Sequence, residues 1–172
     1  MQRLPPQRSP RDETVSLPRR ISFDDPNTSG LLCGSDTAHL SQARRWAAQA
    51  TRTTPFAAHP LVVSLAELHA NALRHTASGL PGGQVRIEIE RRRLLFVLRV
   101  TDDGPCPGAV ATVPQAAPPS SPTGAGPTLA ESGYGLAMVD AMALYWDFSA
   151  SSSGALTVRA VFDRSGRTRS RQ

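Results

Sequence analysis

The chain contains no lysine. All 19 of its basic side chains are arginine, and its 172 residues include only two Trp, two Tyr and five Phe. The first absence excludes the glycine-rich phosphate loop that ends in Lys. The second argues against a nucleic-acid surface built on stacked aromatics. Its two cysteines, Cys33 and Cys106, stand far apart with neither a metal-ligand nor a redox spacing, so reduced thiols in a cytoplasmic protein are expected. No apolar run approaches the roughly 20 residues that span a bilayer. The opening stretch, MQRLPPQRSPRDET, lacks the apolar segment of an export signal, and no membrane partner is expected.

Positive charge is abundant but badly placed for a nucleic-acid protein. The net charge is +5, yet residues 1–20 carry +3 and residues 163–172 another +3, which leaves the body at −1. Residues 1–20 and 163–172 read as disordered basic tails, and contact with nucleic acid is limited to weak binding through them. The body, residues 21–162, is long enough to bury one core and suits one domain.

The stretch around which that body is organised is Leu61 to Thr76, LVVSLAELHANALRHT. Free of Gly and Pro, it reads as one helix, with Thr53 to Pro60 breaking the chain before it and Gly79–Gly83 ending it. At about 100° per residue, Arg74, Glu67, Asn71, Ser64 and His75 gather on one stripe of an otherwise apolar cylinder. His69 falls on the apolar arc and reads as a core histidine. Asp36 would cap an earlier helix, Thr37 to Thr51. Gln84–Glu90 alternates as a half-buried strand. Arg91–Arg93 turns the chain as a solvated hairpin tip, and Leu94–Thr101 is apolar on both faces, as in a more central strand. A third helix is expected over Tyr134–Leu144, then strands at Trp146–Ala150 and Ala155–Phe162. A short edge strand near Arg20–Phe23 is compatible with the turn-rich stretch that follows it. Antiparallel strands with helices on one face make an α+β, two-layer α/β sandwich.

Three short motifs carry chemistry. Glu67 and Asn71 are one turn apart on the stripe. A carboxamide oxygen suits Mg²⁺ that keeps several waters, and a carboxylate beside it can take a proton from a nucleophile. Alone, the pair also fits side chains that merely satisfy nearby backbone. Thr101-Asp102-Asp103-Gly104 leaves a buried strand, where an Asp can accept from an exocyclic amine; alone, it also fits an ordinary turn. Gly133-Tyr134-Gly135-Leu136 sets two glycines before a helix start, a place that favours phosphate. From Pro105 to Ala130, between the second and third motifs, seven prolines leave little regular structure.

In this order the motifs resemble those of the GHKL, or Bergerat-fold, ATP-binding superfamily. ELHANALRH is similar to its N box, TDDGP to its first glycine box and GYGL to its second, and Gly154 and Thr157 to its late Gly…Thr motif. Within the superfamily the short chain resembles the anti-sigma-factor serine kinases and the small actinobacterial-type ATP-binding regulators related to them. The resemblance implies a mixed, mainly antiparallel sheet and a long ATP lid at about 105–130. It further implies ATP and Mg²⁺ as cofactors, Asn71 as metal ligand and Glu67 as catalytic base. Asp102 would read the adenine amino group with support from Thr157, and Gly104 would border the base. Gly133 and Gly135, with Leu136 beside them, would meet the phosphates, which Arg74 and His75 also approach. The implied function is serine/threonine phosphorylation of a small antagonist protein by a protein that also holds a sigma factor. The alternative is a non-catalytic, ATP-responsive binding module; a homodimer is left open. Three positions depart from the family pattern: Cys106 in the first glycine box, Tyr134 between the two later glycines, and His69 in the helix.

Overall fold

The computed structural model describes residues 16–110, 114 and 131–169. Of the tail expected to be disordered over residues 1–20, residues 1–15 lie outside the described residues, as does most of the lid expected at about 105–130, whereas Arg19 and Arg20 belong to a strand. The elements are β1 (Arg19–Ile21), β2 (Thr28–Gly34), α1 (Ala38–Ala50), α2 (Pro55–His75), a 3₁₀ turn (Ala77–Gly79), β3 (Gln84–Arg91), β4 (Leu95–Thr101), α3 (Glu131–Met142), β5 (Tyr145–Ala150) and β6 (Leu156–Asp163). Six strands form one sheet in the order β1-β2-β3-β4-β6-β5, and every neighbouring pair is antiparallel. The two-layer α+β architecture expected from the pattern is the one formed, with no parallel pair among the described strands.

Register explains where the core lies. Ile87 faces Leu31 on one side and Val100 on the other, and Leu98 lies between Ile89 and Ala160. Alternate residues of four strands thus build one apolar face. Leu61, Leu65 and Leu68 of α2 are buried against it with Phe96 and Phe162, and each contributes about 1.5–3 kcal/mol by leaving water. On the opposite face of β4, Val97 is also buried, as a central strand requires.

Helix α2 begins six residues earlier than expected. Thr54 caps it, its hydroxyl accepting from the Ala57 N–H at 3.3 Å, and Pro55 occupies the first turn, where a missing N–H does no harm. Pro60 lies inside the helix and is buried with Ala57 and Ala58. It removes one backbone donor, and packing outweighs that loss. Two prolines that read as a break are a first turn and a buried wedge.

Strand β2 was hidden by its turn-like composition, TSGLLCG, and is held by seven register positions along β3. The triple-Arg turn is a second correction. Arg92 and Arg93 are exposed, but Arg91 is buried at 7% exposure and donates to Ser29 Oγ, the Ala50 carbonyl and the Pro26 carbonyl. The tail expected from Asp163 is described to Arg169, and Asp163 itself ends β6. Arg164 donates to the Arg92 carbonyl and lies over the Phe96 ring, and Gly166 is buried.

Candidate functional site

The three motifs meet at one end of the sheet, above the C-terminal half of α2. The amide of Ala77, just past the helix, donates to the Gly104 carbonyl at 2.8 Å. That bond ties the end of α2 to the segment leaving β4. A second latch runs beside it. Ser78 Oγ donates to the Gln84 carbonyl at 2.6 Å and accepts from the Asp103 N–H at 2.9 Å, while Asp103 accepts from the Gln84 N–H at 2.6 Å. Ser78 did not stand out in the sequence, and Asp103 stood out only as a member of the TDDG motif. The bonds join residues 19 and 25 apart in the chain, and only the second Asp of the TDDG run hinted at such a role.

Asp102 is buried at 8% exposure. Its Oδ1 accepts from the Gly104 N–H at 2.7 Å and the Leu156 N–H at 3.2 Å. No donor among the described residues reaches Oδ2, which leaves that oxygen for a ligand amine. Burial pushes the Asp102 carboxyl above its ordinary range; the two N–H bonds pull it back, and the charge of Asp103 adds to the rise. Gly104 has φ +84°, and a Cβ there would stand 2.5 Å from the Gly154 carbonyl oxygen. Glycine is therefore required where the loop after β4 touches the β5–β6 turn. Thr157 lies opposite Thr101 in the register, and their hydroxyls are hydrogen-bonded at 2.8 Å. This pair forms a polar rung beside Asp102.

Glu67 and Asn71 are half-buried on α2 and face α3. A Cβ on Gly135 would lie 3.0 Å from Glu67 Oε2, 3.2 Å from Asn71 Nδ2 and 3.6 Å from Asn71 Oδ1. The absent side chain lets α3 pack directly against the carboxylate of Glu67 and the carboxamide of Asn71. Both glycines of the third motif lie inside α3, because the helix starts at Glu131 instead of after them. Leu136 turns into the core at 7% exposure, so it supports the helix and does not face a ligand. Ser64, expected on the polar stripe, is fully buried, and its hydroxyl has no partner among the described residues. Arg74 and His75 are exposed in the last turn of α2. His69 is in the core with both ring nitrogens unpartnered among the described residues. Burial, with the charge of His39 adding to it, lowers its pKa to about 4.

The sequence thus located the helix stripe, the Asp and the glycines, and the fold draws them together; it did not show the latch. A family model described as the histidine kinase-like ATPase domain matches residues 33–162. No curated protein matches the chain. Among the described residues no helix is long and apolar enough to cross a membrane.

Proposed function

Because the chain belongs to the histidine kinase-like ATPase domain family, and so is an ATP-binding, ATPase- or kinase-like regulatory module, we propose that it is a Mg·ATP-dependent serine/threonine protein kinase of the anti-sigma type. It would hold a sigma factor and phosphorylate a small antagonist protein. The observation that supports this reading is the close approach of Gly135 to Glu67 and Asn71, which brings the third motif onto the first. The residues fit the cofactor. Among the described residues no group of three His, Cys, Asp or Glu side chains is placed to hold a metal. A single carboxamide suits Mg²⁺, which keeps most of its waters and takes the remaining ligands from phosphate.

Asn71 would hold the metal, and Asp102 Oδ2 would accept from the adenine amino group. When bound, Mg·ATP supplies the transferable phosphoryl group and the charge neutralisation that phosphoryl transfer needs. Glu67 would orient the incoming Ser or Thr hydroxyl and accept its proton. Asp102 keeps its orientation through the two backbone donors on Oδ1, so the base contact needs no rearrangement.

The test is incubation of the purified protein with labelled ATP and the partner that co-purifies with it. Label should reach Ser or Thr of the partner. Glu67→Gln should stop transfer while ATP still binds, and Asn71→Ala and Asp102→Asn should lose ATP. Wild-type binding without transfer would replace the kinase with an ATP-responsive binding module. Equal ATP binding by all four proteins would remove the site assignment.

A further inference from the structure

The sheet extends further than the helical layer that covers it. Helix α1 rests on β2, whereas β1, at the end of the strand order, packs on β2. A cavity of about 430 Å³ opens there, between the β1–β2 turn and the last turns of α1, remote from the proposed nucleotide site. Ile21, Phe23 and Trp46 form apolar walls, and Arg20 and Arg52 flank them. Both arginines are exposed, and neither has an ion-pair partner among the described residues.

Arg91 adds a third guanidinium beneath the cavity. The three groups that hold it, the Pro26 carbonyl, Ser29 Oγ and the Ala50 carbonyl, belong to residues lining the cavity. All three are neutral, and no carboxylate stands within ion-pair distance of Arg91 among the described residues. A buried cation without a counter-charge is costly. Burial lowers the Arg91 pKa, the nearby charges of Arg52 and Arg164 lower it further, and Asp25 opposes them. Asp25 is the one carboxylate of the lining, and it is taken up by the Asn27 N–H and the Thr28 hydroxyl. Arg52 also has φ +50°, a conformation that Gly or Asn adopts more easily. An arginine there keeps a cation at the cavity mouth at some conformational cost.

We propose that this cavity binds an extended acidic segment of a partner protein, laid along β1. A strand added to an open sheet edge gains main-chain hydrogen bonds and sends alternate side chains to one face. Here that face is the one Arg20 shares with Leu31, at the margin of α1, so an apolar side chain enters beside Trp46 while acidic side chains meet Arg20 and Arg52. The chain's own termini are disfavoured as occupants by charge, since residues 1–18, before the strand itself, carry +1 and residues 163–172 carry +3. Concave shape and aromatic walls suit an inserted side chain better than a bilayer face or a duplex. The docking surface is separate from the proposed nucleotide site and stands whether or not the protein is a kinase.

The experiment titrates the full chain with a short labelled peptide of Glu and Asp carrying one Phe, read by anisotropy and by Trp46 emission. Binding should saturate, weaken with salt and be absent for the same peptide with Lys in place of its acids. Arg20→Glu combined with Arg52→Glu should weaken it at least roughly tenfold, with circular dichroism and ATP binding unchanged. Asn71→Ala should leave peptide affinity intact. No binding by the acidic peptide, or equal binding by the double variant, would overturn the proposal. It would fall equally if phosphatidylserine vesicles or duplex DNA bound through Arg20 and Arg52 and the peptide did not.

Discussion

Replacing Gly135 by alanine separates the fold from the proposed nucleotide site, because the two should respond with opposite signs. The added methyl would stand 3.0 Å from Glu67 Oε2 and 3.2 Å from Asn71 Nδ2. Comfortable contacts lie at about 3.5–4.0 Å, so both side chains must withdraw by a few tenths of an ångström. Both are half-buried side-chain ends, and α3 itself gains, since Ala is favoured over Gly inside a helix by roughly 1 kcal/mol. The melting temperature should therefore stay level or rise by about 2–4 °C. If Glu67 and Asn71 hold metal and phosphate as proposed, displacing both should lower ATP affinity about tenfold, or ~1.4 kcal/mol. Thermal denaturation with and without Mg·ATP, together with calorimetric titration, reads both quantities on one sample. Wild-type ATP affinity in a folded Gly135→Ala protein would remove this contact from the nucleotide site. A variant that failed to fold would show that the contact governs packing instead.

Three further outcomes follow from the same geometry. His69 has its pKa lowered from 6.5 to about 4 by burial first and His39 second. Between those values the unfolded chain takes up a proton that the folded chain refuses. This contribution is therefore complete above pH 6.5 and is lost as the pH falls toward 4, by roughly 3 kcal/mol; urea titrations of His69→Phe should lack that part of the slope, and an identical slope would refute it. Arg91→Met strands two carbonyls and a hydroxyl, costing about 2–4 kcal/mol in urea denaturation, and a loss well under 1 kcal/mol would contradict the account. Gly104→Ala combines φ +84° with a 2.5 Å approach to the Gly154 carbonyl oxygen, so stability should drop by roughly 2–4 kcal/mol; an unchanged melting temperature would show that the β5–β6 turn yields freely.

Elements whose residues alternate, or are apolar throughout, were legible within a residue or two. β3, β4 and β6 follow directly from Val85, Ile87 and Ile89, from Leu95 to Thr101, and from Val158, Ala160 and Phe162. β2 was not legible, because its residues favour turns and become a strand only through pairing with β3. Pro55 and Pro60 misled for a related reason: the rule against proline in helices is local, and here the position in the first turn and burial decide. Of the site, Glu67, Asn71 and Asp102 were readable because polar groups on buried elements stand out. The Ser78–Asp103 latch and the buried Arg91 were not. Their partners lie far away in the chain, and an Arg in a charged run looks like any other surface cation.

The bond between Ala77 and the Gly104 carbonyl, with the Ser78 latch beside it, sets the two halves of the site apart in when they acquire their shape. On the base side, α2, β3 and the loop after β4 are joined into one piece by folding itself. Asp102 is aimed, and little freedom remains to be lost when a base arrives. On the proposed phosphate side, the two helices touch through a residue without a side chain, and among the described residues no hydrogen bond joins Gly135 to the Glu67 or Asn71 side chain. A nucleoside should therefore meet a finished surface, while the phosphates finish theirs. On the proposed assignment the base would govern recognition, and the number of phosphates would govern how α2 and α3 stand to one another. A protein that must report whether it holds ATP or ADP would then read the difference from that helix pair.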